Sequence, residues 1–149
     1  MLSKELKDEK PERIAEQQVE DLQLIFKRLS MKYSDKIHDE ELKVYSELAD
    51  SLFEVRLAKV LEGHSLGDSF DSWEEEILSK LREFYVSFVM GHYPVRNGKV
   101  LCRVVKELYF SGTVLKPGDL IFMEVKKAVG LLLSGVVEPC SLFKKTRRE

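Results

Sequence analysis

The chain has 149 residues, enough for one domain of ordinary size or two small ones, and its apolar share of 44% against 34% charged residues suits a core-forming soluble protein. A formal net charge of -2 argues against nucleic acid as the main ligand. No stretch approaches the roughly 20 apolar residues that span a bilayer, and the start MLSKELKDEK has no apolar core of a signal peptide, so the expected location is cytoplasmic.

Residues 1 to 90 read as helical. Leu2 and Leu6 anchor a short first helix. Pro11 suits a helix start, and from there Ile14, Val19, Leu22, Ile25, Phe26, Leu29 and Tyr33 keep helical spacing until Ser34-Asp35 breaks it. The run Asp39 to Glu62 predicts one long helix ending at Gly63, with Lys59 at the end that favours a cation. At about 100° per residue, Leu42, Tyr45, Leu48, Leu52, Phe53, Leu57 and Val60 make one apolar stripe. Arg56 falls in its middle. A guanidinium is almost never buried alone, so this helix either hides an ion pair or offers its face to another protein.

HSLGDSFDS is a loop by composition. Asp71-Ser72 then offers an N-cap, and Ser72 with Glu75 fits a capping box. The following helix, about Trp73 to Met90, carries Trp73, Ile77, Leu81, Phe84, Tyr85 and Phe88 on its apolar face. Glu74 lies near the centre of that stripe and in the first turn, where the helix dipole favours a carboxylate. An Arg56–Glu74 ion pair is therefore expected, within the chain or across an interface; the alternative is that both charges rotate to solvent. Broad stripes on several helices leave apolar area to cover, so Tyr45, Leu52, Phe53, Trp73, Phe84, Tyr85 and Phe88 are candidate interface residues.

The character changes at Gly91. Residues 92–98 are rich in turn formers and read as a linker, ending in an Asn97-Gly98 turn. Short strands follow: VLCRVV, LYF, a turn near Ser111-Gly112, TVL, the turn KPGD and LIFMEV. Lys126 to Ser134 predicts a short helix stopped by Gly135, and VVEPC a last strand. The tail SLFKKTRRE is basic; Lys144, Lys145, Arg147 and Arg148 read as a solubilising terminus, with phosphate contact as the alternative. The fold class is thus α+β: a helical bundle over 1–91, a linker, and a small β-rich module over 99–149. Such a module is marginal alone and needs a docking partner or a tether.

Catalytic chemistry is not written here. GxxxxGK[ST], GxGxxG after a strand, GxSxG and HExxH are all missing, and His38, His64 and His92 are scattered. Cys102 and Cys140 have no neighbours at metal-ligand spacing and read as small buried hydrophobes, with a disulfide as the alternative in a hyperthermophile. The few side-chain amides (Gln17, Gln18, Gln23, Asn97) suit a hot habitat. No cofactor, metal or small-molecule substrate is expected.

Within the long helix, YSELADSLFEVRLAKVLEG resembles the signature of GINS complex subunits through Tyr45, Phe53, Arg56 and Lys59, followed by an acidic helix start in SWEEEILSKLREFY. The C-terminal module is similar to the small B domain of those subunits, with Gly118-Asp119 at a turn and Gly135-Val136-Val137-Glu138 near the end. Met123-Glu124 stands where archaeal B domains often carry Leu-Pro. Helices first and β module last is the order of one archaeal GINS class. The resemblance implies a non-enzymatic scaffold in a four-subunit assembly, with a second GINS subunit type, the MCM helicase and a RecJ/Cdc45-like protein as partners, and weak or no direct DNA contact. It makes Gly118, Asp119, Gly135 and Glu138 candidates for B-domain docking. The competing reading is a nucleic-acid-binding regulator whose helices read DNA.

Overall fold

The computed structural model describes residues 2–32 and 36–142; the expected break at Ser34-Asp35, Tyr33 and the basic cluster at 144–148 lie outside them. The chain divides into two compact units, residues 1–76 and 77–149.

The first unit holds α1 (Leu2–Glu5), α2 (Glu16–Lys32), α3 (Lys36–Leu61) and the first turn of α4 (Ser72–Val89). Its α-helical reading from the sequence is correct, with one difference. Pro11 does not start a helix: residues 9–15 are non-helical and α2 begins at Glu16. The reason is competition for backbone groups. Ile14 donates its N–H to Ser69 Oγ at 3.1 Å, and its carbonyl accepts from Phe70 N at 2.9 Å and Ser69 Oγ at 3.2 Å. The Glu12 carbonyl accepts from Arg56 at 2.7 Å. Helix formation over this segment would withdraw those groups. Ile14 still buries its side chain, so an apolar residue counted towards a helical period anchors an extended strap instead.

The long helix α3 ends as the sequence predicts. Gly63 takes φ +98°, a left-handed conformation that costs glycine little, and His64 N and Gly63 N close back on the Lys59 and Val60 carbonyls at 3.0 Å each. The same pair of closing bonds ends α4 at Gly91, from His92 N to Ser87 O and from Gly91 N to Phe88 O.

The second unit is built around an antiparallel sheet of β1 (Val95–Arg96), β2 (Lys99–Val104), β5 (Leu120–Glu124) and β6 (Val137–Pro139). Cys102 pairs with Ile121 on one side and Pro139 on the other, and Val100 pairs with Met123 and Val95, so β2 is central. A separate hairpin, β3 (Leu108–Phe110) with β4 (Thr113–Leu115), turns at Ser111-Gly112. The helix α5 (Val125–Leu133) lies between β5 and β6. Alternation along β2 is strict: Val100, Cys102 and Val104 are buried, and with Met123, Ala128 and Val137 they form the core. Leu108, Phe110 and Leu115 of the hairpin and Leu131 of α5 close it.

Residues 92–98, expected as a linker, are part of this fold. They contain β1 and a two-residue turn with Asn97 and Gly98 both at positive φ. Leu101 N donates to the Pro94 carbonyl at 3.0 Å, and Leu142 N to the His92 carbonyl at 2.8 Å. Both cysteines are free; Cys102 is buried in the core and burial, then Cys140, pushes its thiol up to about 11.

Phe84 also belongs to this unit. It is buried, stacks on Phe88 at 5.8 Å and meets the Tyr93 ring at 5.5 Å. Its neighbour Tyr85 is 66% exposed. Phe84→Ala is therefore expected to cost about 3–5 kcal/mol in urea denaturation of the isolated chain, and Tyr85→Ala less than about 0.5 kcal/mol.

Candidate functional site

Arg56 is the largest fully buried side chain among the described residues. Its guanidinium has five N–H groups, and five acceptors meet them. Nε donates to Asp71 Oδ2, and Nη2 to Asp71 Oδ1 at 2.8 Å, a bidentate pair. Nη2 also donates to Ser69 Oγ at 2.9 Å, while Nη1 donates to Glu5 Oε2 at 3.2 Å and to the Glu12 carbonyl. One turn further along α3, Lys59 Nζ repeats the arrangement, donating to Glu5 O at 2.6 Å, Glu5 Oε1 at 3.0 Å and Lys10 O at 3.2 Å. Glu5 thus bridges both cations, and its Oε2 also accepts from Glu12 N at 2.9 Å. Two buried cations face two buried carboxylates, so the cluster is neutral.

Each part has a local cause. Arg56 and Lys59 are three apart and share a face of α3. The loop after Gly63 is pinned by Glu75, whose Oε2 accepts from Ser65 Oγ and Leu66 N at 3.0 Å each. That loop delivers Ser69 and Asp71 to the guanidinium. The Asp71 backbone starts α4 by accepting Glu74 N at 2.9 Å, while its side chain turns to Arg56. The capping box expected from Ser72 and Glu75 is therefore not made: the Glu75 carboxylate is spent on the loop.

The expected Arg56–Glu74 pair does not form. The helical wheels placed the right arginine but the wrong carboxylate, because all five donors of Arg56 are already taken. Glu74 keeps a buried Oε2 with no hydrogen-bond partner. Its carboxyl is raised above the usual glutamate range, by burial and then by the Asp71 charge, against a lesser pull from Arg56. Asp71 is lowered instead: burial alone would raise it, and hydrogen bonding to Arg56 and then Ser69, with the Arg56 charge, outweighs that. Sequence reasoning missed Glu5, Ser69 and Asp71 as partners. Glu5 lies 51 residues from Arg56, and no local pattern marks it.

The remaining candidate residues divide. On α3 and α4, Tyr45, Phe53, Trp73 and Tyr85 are exposed, at 36%, 49%, 55% and 66%. Leu52 and Phe88 are half-buried. Phe84 is not an exposed interface residue, since Phe88 and Tyr93 cover it. Tyr45 leans on Phe26 of α2 with ring centroids 5.1 Å apart. Near the C-terminal end of α3 the usual amphipathic placement is reversed: Arg56 and Lys59 are buried while Leu48 and Phe53 face out. In the β module, Gly118 at φ +98° and Asp119 form a turn, in which Asp119 Oδ2 accepts Lys116 N at 2.8 Å. Gly135 closes the end of α5, and Glu138 pairs with Arg103 at 3.6 Å on the surface. Among the described residues there is no cluster of metal-ligating side chains and no helix long and apolar enough to cross a membrane.

Two family models match the chain. The GINS complex Gins15 subunit N-terminal domain matches residues 1–71 and the corresponding C-terminal domain matches residues 91–141. The chain belongs to the GINS complex Gins15 subunit family and is a component of the GINS complex in DNA replication. The family consists of non-catalytic replication-complex subunits that associate with other GINS subunits. No curated protein and no solved structure matches it.

Two predictions follow from the cluster's geometry. In double-mutant cycles read by urea denaturation, Arg56→Met with Asp71→Leu should be strongly non-additive, each single variant costing about 3–5 kcal/mol, whereas Arg56→Met with Glu74→Leu should couple far less. The pH dependence has two opposite signs. Asp71, lowered on folding, contributes stability present above the usual aspartate range and lost as pH falls through its folded value. Glu74, raised on folding, costs stability at neutral pH, and that cost disappears as pH falls through its folded value. Glu74→Gln should therefore raise the melting temperature at pH 7 and not in acid, and Asp71→Asn should flatten the acid limb.

Proposed function

We propose that the chain is a non-catalytic scaffold subunit of an archaeal replicative helicase assembly, acting in initiation and elongation through protein contacts. A helical domain over residues 1–91 builds a tetramer with a second GINS subunit type. The β-rich domain, which takes in residues 92–98 with its first strand, docks within the complex or on a RecJ/Cdc45-like partner, and the assembly engages the MCM helicase in the cytoplasm, at the nucleoid-associated replisome. The two matched ranges support this division of labour.

One observation carries the reading: beside Ile14 and Leu66, charged groups occupy the centre of the first unit while several large apolar side chains stay outside it. Arg56, Lys59 and Glu5 are buried; Leu48, Phe53 and Trp73 are not. A chain that worked alone would gain roughly 1.5–3 kcal/mol for each such side chain by the reverse placement. The arrangement is favourable only if another subunit covers those faces. Arg56 and Glu5 then act as positioning residues, fixing the strap and the helix that present the contact.

Sedimentation of the purified chain should show self-association, giving way to a defined hetero-oligomer on co-expression with a second GINS subunit. Phe53→Asp and Trp73→Asp should abolish that complex while the variants keep the wild-type circular dichroism. A monodisperse monomer indifferent to both the partner and these substitutions would contradict the scaffold.

A further inference from the structure

The net charge of -2 averages two opposed halves. Residues 1–76 carry 11 Lys and Arg against 20 Asp and Glu, a net of -9; residues 77–149 carry 13 against 6, a net of +7. The acidic half holds α1, α2 and α3, which disfavours helices as a DNA reader. The basic half holds the sheet, and one face of that sheet is open.

Register fixes which residues share the open face. Cross-strand partners point the same way, and so do alternate residues of one strand. Val100, Cys102 and Val104 of β2 point into the core, so Lys99, Leu101 and Arg103 point out. Arg96 stands opposite Lys99, with Glu124 on the other side of Lys99. Phe122 stands opposite Leu101, and Leu120 opposite Arg103, with Glu138 beside it. The face thus reads as three cations, Arg96, Lys99 and Arg103, around a central aromatic, with Glu124 beside Lys99 and Glu138 beside Arg103: three positive against two negative, a net of +1. Lys99 and Arg103 are four residues apart on one strand, about 13 Å at the usual rise. Phe122 is 40% exposed and Leu120 59%.

Two features select an anionic ligand with flat apolar groups. Like charges directly opposite each other across a ladder are destabilising, yet Arg96 faces Lys99, and Glu124 offsets only one of the two. An aromatic ring between cations on a sheet is the combination that binds single strands: phosphates meet the cations and an unpaired base stacks on the ring. A duplex keeps its bases inside the stack and cannot use that ring.

We propose that the outer face of the β-rich module is a single-stranded nucleic-acid contact, with Arg96, Lys99 and Arg103 on phosphates and Phe122 under a base. This goes beyond the scaffold reading and does not depend on it. Glu138 holds Arg103 at 3.6 Å in the free chain and releases it, in whole or part, to the ligand. The same face offered to an acidic protein surface is the competing occupant, which the Phe122 requirement separates.

The test is fluorescence anisotropy of the full chain with labelled oligothymidylate over a salt series. Binding should weaken with salt at a log–log slope of at least about -2, given about 0.7 per phosphate contact on a single strand. Arg96→Gln with Lys99→Gln should flatten that slope by about 1.4. Phe122→Ala should weaken binding roughly tenfold or more with the slope unchanged, and Phe122→Trp should restore it. These exposed positions keep the fold intact, as circular dichroism melting checks. Absence of binding would overturn the proposal, as would salt-sensitive binding indifferent to both sets of variants, or equal affinity for a duplex of the same length. Displacement by polyglutamate at equal charge, with Phe122→Ala silent, would overturn it in favour of an acidic protein surface. Failure here leaves the scaffold reading standing, because subunit association is read by a separate experiment.

Discussion

Five donors on one buried guanidinium set the terms for the helical unit. Arg56 cannot leave water unless every N–H finds an acceptor, and the acceptors it finds come from four places in the chain: Glu5 in α1, the Glu12 carbonyl in the strap, and Ser69 and Asp71 in the loop before α4. Satisfying one side chain therefore fixes the N-terminal strap, the loop and the start of α4 against α3. Lys59 adds a second anchor through Glu5. The cluster adds little net stability over an apolar replacement of equal volume; its effect is to specify one arrangement, since losing any single partner strands a buried charge.

The apolar stripe of α3 is covered only in part: Leu42, Leu52, Leu57 and Val60 are half-buried, whereas Tyr45, Leu48 and Phe53 are exposed. Helix α3 turns its cations towards α1 and the strap, leaving Leu48 and Phe53 at the surface. A helix that buried its apolar stripe internally would present its charged face to a partner, a poor surface for a lasting contact. Here the ion cluster takes up Arg56 and Lys59, two charges that would interrupt the apolar stripe, and Leu48 and Phe53 of that stripe remain for assembly. The buried cluster and the exposed side chains lie on one face of α3: α1, the strap and the loop cover Arg56 and Lys59, while Leu48 and Phe53 beside them stay uncovered.

Much of this was legible in the sequence, and the failures have a common cause. The β module was read nearly strand by strand, because alternation, Asn97-Gly98, Ser111-Gly112 and Lys116 to Asp119 are local signals of period and turn. Arg56 was found because a cation inside an apolar stripe violates a local rule. Its partners were not, because Glu5 and Asp71 reach it through the tertiary fold, and Glu74 lay on a better-looking wheel. The strap around Ile14 was misread for the same reason: its backbone is claimed by Ser69, Phe70 and Arg56, none of them near in sequence. Phe84 looked like surface because periodicity cannot tell a face packed on Tyr93 from one left open. The charge split between the two halves was visible in composition but hidden by a single net value.

The Arg56 cluster locks the strap and the loop to α3 as one cooperative piece. Hydrogen–deuterium exchange of the chain and of its Glu5→Gln variant reads this directly. Removing the Glu5 charge should strip protection from amides of residues 2–14 and 64–71 together, with the β2–β5 ladder keeping its wild-type rates. Loss confined to the first helix, or loss spread evenly over both units, would contradict it.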